Sequence, residues 1–290
     1  MNYLLHLFIM VNIYFILTSS LDLVIGYAGI FSIAHAAFYG MGAYTTTLLM
    51  MKVGLGFLPS LLLSILGAVL LSLMVGIPSL RLKEDYFVLA TLGFQVIIYT
   101  ILYNWISLTR GPYGIAGIPS PNVFGWQIEG LFDFFLLSSI IALLCCCLLW
   151  LLKRSPFGRT LKTIREDEVA AAALGKNVPL FKTLAFAIAA GLAAVPGGLF
   201  ATYMRYIDPT SFTLLESVFI LTALIIGGAG NVRGPLVGAA VALFLPEFLR
   251  FLNIPDAVAA NMRQILYGAI ILLLMRFRAQ GLAGEYKFQQ

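Results

Sequence analysis

Three titratable side chains lie within or beside apolar stretches long enough to cross a membrane, and they are the first candidates for chemistry. Asp22 follows the first apolar stretch, His35 follows the sequence GIFSIA, and Glu216 stands within PTSFTLLESVFIL. An ionisable group in hydrocarbon costs about 2.5–3.5 kcal/mol even on insertion scales, so such a residue either lines a pathway or is held by a partner. Both interpretations stay open for His35 and Glu216, while Asp22 is also open to a place at the membrane boundary.

The chain carries no pattern typical of an enzyme. There is no GxSxG, HExxH or CxxC sequence, and the glycine cluster at 227–234 lacks the Lys-Ser/Thr pair that ends a phosphate-binding loop. Cys145, Cys146 and Cys147 are adjacent in an apolar helix and point in different directions, so they cannot share a metal or form an ordinary disulfide. We therefore predict no catalytic residue, no metal site and no cofactor bound by this chain.

Composition defines the fold class. Hydrophobic residues make up 61% of the 290 residues and charged residues 11%, with a mean hydropathy of +0.97, which is outside the range of soluble domains. The apolar runs are continuous rather than alternating, which excludes a β-barrel. We predict an all-α polytopic membrane protein with eight or nine spans that include interrupted helices: 3–21, 35–51, 58–78, 86–106, 131–152, 183–204, 214–229, 235–252 and 263–277.

The distribution of charge predicts the topology. Residues 153–182 hold seven basic and three acidic side chains, and Lys and Arg concentrate on the cytoplasmic side of membrane proteins. The shorter loop around residue 82 and the tail add five more basic residues: Arg81, Lys83, Arg276, Arg278 and Lys287. The loop 107–130 is rich in Gly and Pro and has one Arg, so we predict that it is external. These assignments fit alternating spans with a cytoplasmic C-terminus. Alternation would place the N-terminus outside, whereas a broken second span would reverse it, since charge does not orient the first span. The net charge of +5 is then no argument for nucleic acid.

Two glycine-rich regions, residues 22–44 and 225–240, are expected to interrupt helices. Gly weakens a helix by about 1 kcal/mol relative to Ala, and freed backbone groups are tolerated in a membrane only where protein or a watery cavity satisfies them. Paired interruptions in the two halves of a chain are typical of transporters with a central pathway. The pathway candidates are Gly26, Gly29, Ser32, His35, Gly42, Glu216, Gly227 and Gly230.

The charged segment 153–182 is more than a topology signal. Its Ala-rich part favours a helix, and Gly175 with Pro179 just beyond is a typical helix stop. Four apolar residues are expected on one packed face: Leu161, Ile164, Ala171 and Leu174. A solvated loop would need only a few Lys or Arg, so we predict a cytoplasmic docking helix for a soluble partner.

The sequence REDEVAAAALG at 165–175 resembles the cytoplasmic loop of ABC-importer permeases, whose coupling helix inserts into the ATPase subunit. More closely, the chain is similar to the M-type permeases of the LIV family of branched-chain amino-acid importers. The matching blocks include GYAGIFSIAHAAFYGMGAYT, LRLKEDYFVLATLGFQVI, SPFGRTLKTIREDEVAAAALG and SFTLLESVFILTALIIGGAGNVRGPLVGA. One departure concerns Glu168, which lies one residue before the acidic position of the general EAA-x3-G pattern.

This resemblance implies a single transmembrane permease domain, residues 1–290, in a bacterial inner membrane. It implies a second related permease, two cytoplasmic ATPases that carry ATP and Mg²⁺, and an external substrate-binding protein. The residues implied in ATPase coupling are Arg165, Glu166, Asp167, Glu168, Ala170, Ala171 and Gly175. Branched-chain amino acids are the expected substrates; the alternatives are urea, amides or other amino acids, or a stand-alone secondary transporter or channel.

Overall fold

The computed structural model of the chain describes residues 2–79, 84–123, 125–250, 268 and 281–283. In this part of the chain the helices are α1 (Asn2–Asp22), α2 (His35–Leu48), α3 (Phe57–Ser79), α4 (Glu84–Asn104), α5 (Ile106–Thr109), α6 (Leu131–Arg154), α7 (Pro156–Glu166), α8 (Glu168–Ala173), α9 (Val178–Met204), α10 (Leu214–Gly227) and α11 (Arg233–Arg250). Eight of the nine predicted spans coincide with these helices. The ninth, 263–277, lies outside the described residues, as do Arg81, Lys83, Arg276, Arg278 and Lys287.

Five of the described helices are long and apolar enough to cross a membrane, and they form a central and a peripheral group. The apolar windows of α1 and α9 are 83% and 78% buried within the chain, whereas those of α3, α4 and α6 are only 33%, 33% and 28% buried. The exposed residues of the peripheral helices are mainly large and apolar, among them Leu66, Ile97 and Leu143. Such surfaces suit contact with lipid, so the chain is a multi-pass membrane protein with α1 and α9 at its centre.

The helix bundle has two distinct ends. At one, which we call the strand end, the loops 105–130 and 205–213 meet through antiparallel pairing of β1 (Ile115–Ala116) with β4 (Tyr206–Ile207), next to a small hairpin of β2 (Asn122–Val123) and β3 (Trp126–Gln127). At the other, the basic end, lie α7 and α8. Helix α1 starts at the strand end, where His6 Nδ1 lies 2.6 Å from the Tyr203 hydroxyl. The chain therefore begins at the same end as the 107–130 loop, as strict alternation of spans predicts.

The first predicted interruption is confirmed. Helix α1 continues into a π-helical turn, Leu23–Tyr27, and residues 28–34 are not helical before α2 begins at His35. The second region is a turn at 228–232 between two antiparallel helices, not a break in one span. A Cβ on Gly238 of α11 would lie 2.0 Å from the carbonyl oxygen of Ala223 of α10, so glycine permits the close approach. With 14 residues, α10 is about 21 Å long, less than the ~30 Å of a hydrocarbon core.

Candidate functional site: the Asp22 junction at the basic end

Asp22 lies at the centre of the basic end of the bundle and is completely buried. Its Oδ2 accepts a hydrogen bond from Lys153 Nζ at 2.7 Å, and its Oδ1 accepts one from the backbone N–H of Gly230 at 2.7 Å. The Lys153 side chain is only 4% exposed. Two buried charges are tolerated because each neutralises the other and the remaining carboxylate oxygen has its own donor. Asp22 is therefore a buried residue with two partners, one of them at the last turn of α6.

Gly26 makes room for this carboxylate. A Cβ at Gly26 would lie 2.1 Å from Asp22 Oδ1 and 2.6 Å from the Gly230 nitrogen, so no other residue fits without displacing the backbone or the carboxylate. The first interruption and the α10–α11 turn thus meet at one carboxylate. We call the group formed by Asp22, Gly26, Tyr27, Lys153 and Gly230 the Asp22 junction.

The charged segment 153–182, called the basic segment from here on, is bonded directly to this junction. Arg165 donates from Nη1 to the carbonyl oxygen of Gly26, and Lys162 Nζ lies 5.0 Å from the centroid of the Tyr27 ring. Lys153 Nζ lies 4.7 Å from the same ring. Cations at these distances are attracted by the aromatic face. Two residues of α7 and one of α6 therefore contact residues 26 and 27 in the π-helical turn that follows α1.

The segment itself forms two helices, so the single helix expected from its composition is wrong. The backbone leaves the helical region at Asp167, with φ −153°, and the Asp167 carboxylate then accepts the N–H of Ala170 at 2.9 Å as the N-cap of α8. Asp has a strong preference for this capping role, which competes with continuation of the helix. The predicted stop at Gly175 is confirmed: its φ is +77°, and its N–H bonds to the carbonyl of Ala172 at 2.9 Å, as in a Schellman motif.

The packed face of the segment contains three of the four predicted residues. Leu161, Ile164 and Ala171 are buried, the last two in a small cluster with Val178. The prediction for Leu174 is wrong, because it follows the last turn of α8 at the point where the chain turns away, and it is 74% exposed. Val169, on the opposite side of α8 from Ala171, is 80% exposed. The segment therefore has an inner face against the bundle and an outer face with apolar side chains in solvent.

The predicted coupling residues fall on both faces. Arg165 forms an ion pair with Glu166 in addition to its contact with Gly26, and Lys182 Nζ donates to Glu168 Oε2 at 2.5 Å. Glu168 thus connects α8 to the first turns of α9. Ala171 is buried, whereas the other predicted coupling residues that follow Arg165 are exposed: Glu166, Asp167, Glu168, Ala170 and Gly175.

The predicted pathway residues of the first interruption are of two kinds: glycines that allow a close contact with another segment, and buried polar side chains. A Cβ at Gly29, whose φ is +69°, would lie 2.8 Å from Arg165 Cγ. A Cβ at Gly42 would lie 2.2 Å from the Ala194 carbonyl oxygen, where α2 crosses α9. Ser32 and His35 are buried, and His35 Nε2 lies 2.8 Å from the Ser20 hydroxyl. These residues are packed against other parts of the chain.

Of the pathway candidates in the second half, Glu216 and Gly227 lie on α10, and Gly230 lies in the turn beside Asp22. Gly227 permits contact with α11, because a Cβ there would lie 2.0 Å from the Gly234 carbonyl oxygen. Glu216 is half-buried and accepts a hydrogen bond from the Tyr14 hydroxyl at 2.5 Å. Its neighbours on α10, Leu215 and Val218, are exposed. Glu216 therefore combines a partner inside the chain with a position close to the exposed surface of α10.

Sequence reasoning missed Lys153, Tyr27, Tyr14 and Lys182 as site residues. Lys153 counted only as a basic residue at the end of a span, and 131 positions separate it from Asp22. A carboxylate next to a predicted span and a lysine at the end of another were the available signals for this pair. Among the described residues, no group of three or more His, Cys, Asp or Glu side chains is placed to hold a metal ion.

Comparisons with known proteins agree with this membrane architecture. The profile of a family described as "Branched-chain amino acid transport system / permease component" matches residues 3–275. The chain is 33% identical to the high-affinity branched-chain amino acid transport system permease protein LivM of Salmonella typhimurium, over 94% of this chain and 68% of that protein, and 33% identical to LivM of Escherichia coli K12, over 93% and 67%. It is also 24% identical to LivH of Escherichia coli K12, over 94% of this chain and 91% of that protein. No solved structure matches. The chain belongs to the family of permease components of branched-chain amino acid transport systems.

Proposed function

We propose that this chain is one of two related permease subunits of an ATP-driven importer for branched-chain amino acids, in a bacterial inner membrane with its C-terminus in the cytoplasm. Two cytoplasmic ATPases would supply ATP and Mg²⁺, and an external binding protein would deliver substrate. The names of the LivM and LivH relatives support the substrate class and the pairing of two permeases. The single observation that carries the proposal is the basic segment, with an exposed apolar outer face and an inner face bonded to the Asp22 junction.

The outer face of the segment is suited to docking a soluble subunit. Val169 and Leu174 are 80% and 74% exposed, and they belong to a segment with charged neighbours rather than to a lipid-facing helix. Exposed apolar side chains in such a charged segment would lose their contact with water on docking to a protein partner, which favours the contact. The pair of Glu168 with Lys182 and the buried Ala171 hold α8 against α9, so a subunit bound to the outer face would act on a helix of fixed orientation.

The inner face supports a route from that subunit to the transport pathway. A displacement of α7 would be transmitted through Arg165 to the Gly26 carbonyl and through Lys162 to the Tyr27 ring. The Asp22 carboxylate is bonded to both Lys153 and Gly230, so the α10–α11 turn would move with the first interruption. We propose that this coupled motion opens and closes a pathway at the interface with the second permease, near the pathway candidates of both interruptions.

Two substitutions test the docking role. Gly175→Pro forces a φ near −65° onto a position at +77° and should disrupt the end of α8, while Glu168→Lys removes the partner of Lys182. In the reconstituted importer both variants should remain in the membrane, and ATP hydrolysis should be uncoupled from substrate uptake. Matched controls are Gly117→Pro, at φ +76°, and Glu129→Lys, both at the strand end. Normal coupled uptake in both test variants would reject the docking role.

A separate experiment tests the assembly and the substrate. Tagged chain purified gently from native membranes should bring with it two ATPases, a second permease and, when trapped, an external binding protein whose ligand can be identified. Leucine, isoleucine and valine should compete for uptake, whereas urea and short amides should not. If the chain is purified alone and moves solute in ATP-free vesicles, it is a secondary transporter and the proposal fails.

A further inference from the structure

A cavity at the strand end combines two cations with an apolar lining. It has a volume of about 270 Å³ and lies between the end of α2 and the loop that follows α4. Lys52 and Arg110 supply the charges, Ser107 a hydroxyl, and the rest of the lining is apolar: Leu48, Met51, Leu108 and Ile115. No carboxylate belongs to the lining, so the cavity is chemically suited to an anion that also has an apolar part.

The two cations have no partner of their own among the described residues. Neither the Lys52 ammonium nor the Arg110 guanidinium forms a hydrogen bond, an ion pair or a cation–π contact with any part of the chain that the structure describes. Arg110 also occupies the left-handed region, with φ +61°, as the residue that ends α5. A residue other than Gly in this region is uncommon and costs about 1 kcal/mol or more, so its backbone is held there by the surrounding turn.

The surroundings of the cavity indicate the depth of a membrane interface. Lys52 comes just before α3 and Arg110 soon after α4, so the cavity lies at the shared end of two helices whose exposed residues are mainly apolar, such as Leu66 and Ile101. Trp105 and Tyr113 each come two residues before a residue that lines the cavity, Ser107 and Ile115, and they are 52% and 79% exposed. Exposed Trp and Tyr are typical of the layer where lipid headgroups meet hydrocarbon on either side of a membrane, and a cation in that layer attracts the phosphate of an anionic lipid through its charge.

We propose that this cavity binds the phosphate of an anionic phospholipid between Lys52 and Arg110, with the acyl chains along the exposed faces of α3 and α4. The ligand chemistry is that of a phosphate monoanion with an apolar body. Phosphatidylglycerol fits this description, whereas the amine of phosphatidylethanolamine would offset the charge on its phosphate.

Tryptophan quenching tests the proposal at the site itself. The chain has three Trp residues, so the variant Trp126→Phe/Trp150→Phe leaves Trp105 as the only reporter. The full-length chain is placed in phosphatidylcholine vesicles that contain phosphatidylglycerol or phosphatidylethanolamine with brominated acyl chains. Brominated phosphatidylglycerol should quench Trp105 more strongly. Adding Lys52→Gln/Arg110→Gln should lower its relative association constant by up to about 25-fold, at roughly five-fold per cation.

The matched control is Arg159→Gln/Lys176→Gln, which removes two positive charges at the basic end and should leave the quenching of Trp105 unchanged. Equal quenching by the two lipids before the cations are removed would overturn the proposal. So would a preference for phosphatidylglycerol that survives in Lys52→Gln/Arg110→Gln, since the cations would then serve another partner such as the external binding protein. If glycerol phosphate alone shifts the emission of Trp105 in phospholipid-free detergent micelles, the site takes a soluble anion and the lipid assignment is wrong.

Discussion

Replacing Lys153 by Met tests whether the Asp22 junction holds the basic end together. Met has a similar length and no charge, so the substitution leaves the Asp22 carboxylate buried with the Gly230 N–H as its remaining donor. Removal of one partner from a buried ion pair destabilises a protein by about 3–5 kcal/mol, because the other charge remains without compensation. Since both side chains of this pair are almost fully buried, we expect a loss in that range.

The double variant Asp22→Asn/Lys153→Met separates the charge from the shape of the site. Asn keeps an oxygen that accepts the Gly230 N–H, and Met fills the space of the lysine without requiring a counter-charge. We expect the double variant to unfold within about 1 kcal/mol of the wild type, because removal of both members of a buried pair is often close to neutral. Adding Asp22→Asn to Lys153→Met should therefore restore about 2–4 kcal/mol of the stability lost in the single variant.

The assay is unfolding by SDS in mixed micelles, followed by circular dichroism. Lys162→Met is the matched control: its ammonium lies 5.0 Å from the Tyr27 ring and is paired with no carboxylate among the described residues, so it should cost less than about 1 kcal/mol. Two results would refute the reasoning. One is a Lys153→Met variant as stable as the control, and the other is a double variant no more stable than Lys153→Met.

Two further substitutions test the roles of Gly26 and Glu216. Gly26→Ala places a methyl group 2.1 Å from Asp22 Oδ1 and should lower both stability and uptake, whereas Gly67→Ala on α3, which meets nothing within 4 Å, should be neutral or slightly stabilising in the same unfolding assay. Glu216→Gln keeps an acceptor for the Tyr14 hydroxyl but removes the charge; a pathway role predicts reduced uptake at unchanged stability. Wild-type uptake by this variant would leave Glu216 with a structural role alone.

Much of the fold followed from the sequence because it depends on local properties. Continuous apolar runs predicted eight helices that the structure contains, and the glycines of residues 22–44 predicted the break before His35. The stop of α8 at Gly175 followed from the preference of glycine for a positive φ. In each case the signal and the structure lie within a few residues of each other, and the membrane leaves few backbone conformations to choose from.

The division of the basic segment at Asp167 was not predicted, although its cause is also local. The Ala-rich run favours a continuous helix, and the capping preference of Asp167 competes with it through a single hydrogen bond to Ala170. The outcome depends on the inner face: Ile164 and Ala171 are both buried against the bundle once the chain bends. Leu174 then becomes exposed, although the periodicity of one continuous helix places it on the packed face.

The sequence by itself determined a membrane-spanning helical chain, its two glycine-rich regions, and a charged segment with the composition of a docking site. Only the tertiary structure decided that these three features meet at one carboxylate. Asp22, Lys153 and Gly230 belong to three separate parts of the chain, and no local pattern pairs them. The physical reason is that a buried charge has to find its partners wherever packing brings donors within reach, so the pairing follows from the arrangement of the helices and not from residue spacing.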